Sequence, residues 1–585
     1  MYSPRLNELY TSREIINRFK GYENNTVIDE NAFEFTENAG FGAYPTLSPR
    51  KQRVFFNVAG EGLHGLCSKE RIAYINHGCL YYGGVQTTNL FFPQIKEERK
   101  FVSMGAKLII FPDKVYVNTE DFADFGSLEA EFESGGQVTL GTCMADGELY
   151  GDYVISSVPP NECKNGDLWL DTTCDPHALM QYNESLGYWQ EVGSTYVRIN
   201  CTGIGKSFNQ YDGVVLSGFG EAGLDGAHVI RHKGDDFIVV TGIVEGAVTI
   251  NDPVRVQRKV PDMDFVCEYG NRLWGCSSEN NEIYASKLGD PTNFNSFMGI
   301  STDSYAVSVG SDGPFTGAIG YRGYLLFFKE NCVHKIYGQN PPYTVTTSYI
   351  RGVQRGSHRS LVCLNETLYY KSVGGICAYE GGVPVCISGA LGDTYYTDAV
   401  AGGCFNRYYV CMSDHIGMRH LFVYDEDKAL WLREDDIDVR EFSTNNCNLY
   451  FIARINGKLR LGIVDGENIY GSFTGELKGF YPEGDFRWEY RSGLWGLSLP
   501  DNKYYSDIVI RATGTKGARL SVWLEFDSSG KWVNCFERAF DKTGSLTIPY
   551  VTPRCDHMRI KLLGRGNVKI YSISRKTESG SDLNV

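Results

Sequence analysis

Residues that could do chemistry are sparse in this chain, and most stand apart from one another. Four aromatic side chains, Trp169, Tyr182, Tyr188 and Trp189, fall close together. Such rings stack on sugars when displayed on a platform, or close a small core when turned inward, and the spacing admits both. The run Glu434-Asp435-Asp436 with Asp438 could offer paired carboxylates for hydrolysis, although a solvated acidic loop is the simpler reading. The ten histidines are dispersed and Gly-x-Ser-x-Gly is missing, so no nucleophile with its base emerges. Carboxylates from distant parts of the chain can still converge on one substrate, which leaves a glycoside hydrolase as the weakest of the readings. The expectation is a protein without enzymatic activity.

Cofactor motifs fail on their context. Gly218-Phe219-Gly220-Glu221-Ala222-Gly223 has the dinucleotide spacing, but Leu224-Asp225-Gly226 follows where that fold needs a helix to meet the pyrophosphate. Gly203-Ile204-Gly205-Lys206-Ser207 ends like a P-loop, yet Asn200 holds the place of the first glycine and Asn209 to Gly213 breaks any helix. No cysteine pair has zinc-site spacing, no histidine pair flanks a glutamate on a helix, and no loop has the acidic period of a calcium site. Neither cofactor nor metal is expected.

The elements that must position these residues follow from a repeat. A short apolar strand, a polar turn and a second strand carrying tyrosine recur from Ile72, Leu108, Leu273, Leu325, Leu368, Tyr408 and Leu449. The spacings are 36, 165, 52, 43, 40 and 41 residues, so one interval exceeds the others by about 120 while the rest sit near the propeller-blade period. A single such hairpin buries its sheet faces poorly, and radial stacking covers both. The expected fold class is all-β: a β-propeller of about seven blades, interrupted once, with unrelated hairpins in stacked sandwiches as the alternative.

The interruption, 120–258, carries its own strand pattern, as in Tyr196-Val197-Arg198-Ile199 and Asp236-Phe237-Ile238-Val239-Val240, and reads as a small β-barrel or sandwich. The propeller would then occupy 51–119 and 259–481. After a linker at Pro482-Glu483-Gly484-Asp485, residues 482–585 alternate cleanly, as in Arg519-Leu520-Ser521-Val522-Trp523-Leu524, and predict a C-terminal β-sandwich ending in a polar tail from Lys576. Residues 1–50 hold one helix-like stretch, Asn7 to Phe19, and read as an N-terminal arm.

With 56 Lys and Arg against 71 Asp and Glu, the 585-residue chain has a formal charge of −15, which argues against holding nucleic acid on a basic face. The 66 glycines, 38 tyrosines and 32 phenylalanines suit many turns and aromatic-rich strands. The first twenty residues mix charges among apolar side chains and lack a signal-peptide core, and apolar runs elsewhere are too short to span a bilayer, so the chain reads as soluble with no membrane anchor. Seventeen cysteines, an odd and scattered set, read as reduced thiols made in a cytosol.

From Asn271 the wording becomes specific: Asn271-Arg272-Leu273-Trp274-Gly275-Cys276, then Ile283 to Phe294 (IYASKLGDPTNF), Gly320 to Gly338, Arg351 to Leu361 (RGVQRGSHRSL) and Arg554 to Gly564. These phrases resemble the β-propeller region of tailed-bacteriophage tail structural proteins of the nozzle or tail-stabilisation type, over about 260–575 with an echo at 40–118. Val214 to Ile230 is similar to small β-domains of tail tubes and hubs. The resemblance carries no catalytic residues. It implies a virion component assembled in the host cytoplasm as a homo-oligomeric ring, usually sixfold, below the portal or adaptor. DNA would pass through without specific binding, and an acidic lumen would repel its phosphates. The alternative is a receptor-binding or carbohydrate-binding tail tip, with Trp169, Tyr188 and Trp189 as stacking rings.

Overall fold

The computed structural model describes residues 11–93, 98–220, 223–500, 502–540 and 544–579. No α-helix occurs among them, and the architecture is that of a β-propeller with an inserted β-domain and a C-terminal β-sandwich. Seven antiparallel sheets follow the seven repeats, six of four strands and the last of five, and each predicted hairpin forms two inner strands of one sheet. The blades are numbered here in chain order. Their middle strands are apolar on both faces because both are covered: Ile72–Asn76, Leu273–Ser277 and Thr367–Ser372 are buried throughout. Tight turns suit the residues present. At Asn456-Gly457 φ is 50° and 80°, the left-handed pair of a type I′ turn, and this joins Asn448–Ile455 to Lys458–Ile463 in register.

The chain divides into two compact units, residues 1–98, 328–333 and 349–585 in one and 99–327 with 334–348 in the other. In the first unit, the seventh blade is completed by the N-terminal strand Val54–Gly60, which pairs antiparallel with Lys458–Ile463. The short strand Phe480–Pro482 lies on its other side. The C-terminal sandwich packs a five-stranded sheet against a four-stranded one, with Trp488, Tyr490, Ile510, Leu520, Val522, Ile560 and Ile570 buried in the same core.

Residues 11–49 supply strands to both sandwich sheets. Thr11–Ile16 pairs with Val568–Ser579, and Phe33–Glu37 with Arg487–Ser492. This replaces the helix expected from Asn7 to Phe19. Of that stretch, residues 7–10 lie outside the described residues, and from Thr11 the open backbone of the last strand captures the segment, with Glu14 accepting from Arg575 Nε at 2.7 Å. The long-range ladder outweighs a weak local helical preference. Lys576 to Ser579 continue the sandwich strand, and the rest of the polar tail lies outside the described residues.

In the second unit, an eight-stranded antiparallel sheet curls around one core that includes Leu140, Val197, Ile199, Val214, Ile230, Ile238, Val240 and Val256. A separate four-stranded sheet, Val154–Ser156, Leu168–Asp171, Ala178–Asn183 and Tyr188–Glu191, belongs to the same stretch of chain.

Candidate functional site

The four aromatic residues singled out in the sequence fall on that small sheet. Register places Tyr182 opposite Trp189, and Trp169 opposite Met180 two residues away, so three rings share one face. They engage one another edge-on, Trp169 with Trp189 at 5.5 Å and Tyr182 with Trp189 at 5.4 Å between centroids. Trp169 is buried and its indole N–H donates to the Ser156 carbonyl at 2.9 Å. Tyr188 points to the other face and is 52% exposed. The arrangement is an aromatic cluster with one outlying ring.

The acidic run is not the solvated loop that its composition suggested. Glu434 and Asp435 end the strand Leu430–Asp435 and turn inward onto two buried arginines. Arg53 donates to Asp435 Oδ2 at 2.6 Å and to Glu434 Oε2 at 2.7 Å, and Arg50 grips both oxygens of Glu483 at 2.7 and 2.9 Å. Burial pushes the Asp435 carboxyl up, but the charge and hydrogen bonds of Arg53 outweigh it and hold the group below the ordinary range. Asp436 pairs with His420 at 2.6 Å, and Asp438 with Arg419 at 3.2 Å. Every carboxylate of the run is thus committed to a cation. The partners Arg50 and Arg53 stand some 380 residues away in sequence, which is why composition alone misled.

A different group emerges at the seam between the fifth and sixth blades, within the first unit. The strand Thr367–Ser372 (LYYKS at its centre) alternates so that Tyr369 and Lys371 face the sixth blade. Tyr369 joins the apolar seam with Ile376, Tyr408, Val410 and Met412. Lys371, only 3% exposed, stands where that seam opens into a cavity of about 420 Å³. Its Nζ donates to the Ser372 carbonyl at 2.6 Å and lies 5.6 Å from the Tyr395 ring centroid. Among the described residues no carboxylate pairs with it. Burial lowers its pKa to about 8, so it stays mostly protonated at neutral pH.

The rest of the pocket is built from a turn and an interblade loop. Gly375 has φ 134° and a Cβ there would lie 2.3 Å from Ser388 Oγ, so only glycine lets the turn close on that hydroxyl. Ser388 Oγ accepts from the Ile376 amide at 2.9 Å. Gln354 Nε2 donates to Tyr395 Oη at 2.8 Å and fixes the ring beside the lysine. Sequence reasoning passed over Lys371. The signal was present: a lysine at an inward position of a strand otherwise apolar on both faces.

Charge is unevenly divided along the chain. Residues 120–258 hold 22 Asp and Glu but only seven Lys and Arg, so this stretch carries the whole formal excess of fifteen and the remainder is balanced. Seventeen of those acids and three of those bases are exposed among the described residues.

No protein-family model matches the chain, and no curated protein matches it. Among solved structures, it is similar to an exo-β-1,3-galactanase from Phanerochaete chrysosporium, at 12% identity over 52% of this chain and 95% of that one, with a TM-score of 0.22. A GH43 glycoside hydrolase described as both endo-xylanase and exo-arabinofuranosidase matches at 10% identity over 54% and 98%, with a TM-score of 0.20. The phage phi92 endosialidase matches at 9% identity over 77% and 75%, with a TM-score of 0.23. These matches correct the expectation of a non-enzymatic protein. The solved structures that the chain matches include glycoside hydrolases and an endosialidase. At these identities the likeness is one of fold, and no residue role passes to this chain.

Proposed function

We propose that this chain is a bacteriophage tail protein of the nozzle or stabilisation type, forming a homomeric ring around the DNA exit path with residues 120–258 turned toward the bore. The observation that carries the reading is the confinement of all fifteen excess negative charges to that inserted stretch, against a balanced remainder. Phosphates spaced along a duplex are repelled by such a surface within a Debye length of about 8 Å at physiological salt, so DNA slides without being gripped. The propeller and sandwich supply the surfaces for head-to-tail closure and for portal or adaptor neighbours in the particle. The resemblance of the propeller phrases to tail proteins supports the same assignment.

Electron microscopy of the purified full chain, with light scattering for mass, tests it. The expected result is a closed ring with the 120–258 density at its bore. Replacing Glu131, Glu133, Glu148, Asp152, Asp235 and Asp236 with Gln or Asn should slow DNA ejection from virions carrying the variant. A monomer, or an insert on the outer rim with ejection unchanged, overturns the proposal.

A further inference from the structure

We infer that the cavity at the seam of the fifth and sixth blades is a binding site for a carboxylated monosaccharide unit, whose carboxylate meets the Lys371 ammonium while its ring lies against Tyr395. The inference stands independently of the ring and its bore.

The first support is the state of the lysine. A buried ammonium is normally matched by a carboxylate, as Arg50 and Arg53 are matched in the same unit. Lys371 has one carbonyl acceptor, leaving two N–H donors for the cavity beside it. An uncompensated cation facing a solvent-connected cavity is a receptor for an anion. One lysine suits one negative charge. Among the described residues the single carboxylate on the lining is the exposed Asp393, which disfavours a dianion. Arg351 lies against Gly374, outside the lining.

The second support is shape and lining. A volume of about 420 Å³ falls in the range of small-ligand sites and admits a sugar ring. Tyr395 is 55% exposed yet held by Gln354, so it presents a fixed face at the mouth for the C–H surface of such a ring. Ser388 and Thr394 hydroxyls can exchange hydrogen bonds with sugar hydroxyls. A simple anion would use the lysine and leave this aromatic and hydroxyl lining without a role.

Calorimetric titration of the full chain with D-glucuronate, N-acetylneuraminate, D-glucose and inorganic phosphate tests the inference. Binding of at least one acidic sugar is expected, with glucose at least tenfold weaker. Lys371→Met should weaken the acidic sugar at least tenfold, and it removes a buried charge, so folding is not at risk. Tyr395→Ala, at an exposed position, should weaken it several-fold. Phosphate binding as tightly as the sugar acids would overturn the sugar assignment. Silence with both acidic sugars, or affinity indifferent to Lys371→Met, would overturn the site.

Discussion

Replacing Arg53 with Met should loosen the seventh blade more than any change at an exposed arginine. The Arg53 side chain is 2% exposed and makes three hydrogen bonds, at 2.6 and 3.1 Å to Asp435 and 2.7 Å to Glu434. Removing it leaves Glu434, Asp435 and Glu483 to share Arg50. Stripping one partner from a buried ion pair costs about 3–5 kcal/mol, because the remaining charge stays desolvated. Arg53 immediately precedes Val54–Gly60, so the loss should appear as opening of that strand, whose amide exchange should accelerate roughly 100-fold or more. Hydrogen exchange at pH 7 measures it. The triple variant Arg53→Met, Glu434→Gln, Asp435→Asn leaves Arg50 with Glu483 and should recover most of the protection. A single variant costing under about 1 kcal/mol, or a triple no better than the single, refutes the argument that desolvated charge sets the cost. At Asp435 the pH dependence has a defined sign, opposite to that of Glu434, whose carboxyl is pushed up by burial. The Asp435 carboxyl is depressed on folding, so its contribution is complete above about pH 4 and is lost only as pH falls through its lower folded value.

Lys371→Met should raise stability at pH 7, since a lysine held near pKa 8 against a usual 10.5 costs the fold about 3 kcal/mol in its charged form. Because the folded value is the lower one, wild-type stability should climb between pH 8 and 10.5, and thermal melts of the two proteins should converge at the alkaline end. Trp169→Ala should expose the Val154–Glu191 sheet to limited proteolysis, at a cost of about 3–5 kcal/mol for an indole packed on Trp189 and bonded to Ser156. Tyr188→Ala, on the exposed face, should stay within about 0.5 kcal/mol.

What could be read from the sequence was whatever the chain specifies locally. The seven hairpins were visible because their middle strands are covered on both faces and so carry dense Leu, Phe and Tyr patterns. The flanking strands were not: Val362–Leu364 and Val385–Cys386 are two or three residues long, and their pairing depends on neighbours. Long-range partners were equally hidden. Thr11–Ile16 is a strand because residues 568–579 present an open ladder, and Glu434 is buried because Arg53 arrives from the far end of the chain. For the site, the aromatic cluster could be located but not oriented, since exposure of each ring depends on which face of a short sheet it occupies. Lys371 was legible only as a lysine on an apolar strand face; the cavity beside it is made by Gly375, Ser388 and Tyr395 from elsewhere in the blade.

The pairing of Val54–Gly60 with Lys458–Ile463 also sets a timetable. The earlier strand leaves the ribosome ~400 residues before its partner, an interval of roughly 20–80 s at ordinary translation rates. Throughout it, Phe55, Phe56 and Val58 wait with no ladder to join. Newborn chains are therefore most vulnerable to aggregation late in synthesis, and chaperone capture of this segment would govern yield more than the stability of the finished protein does.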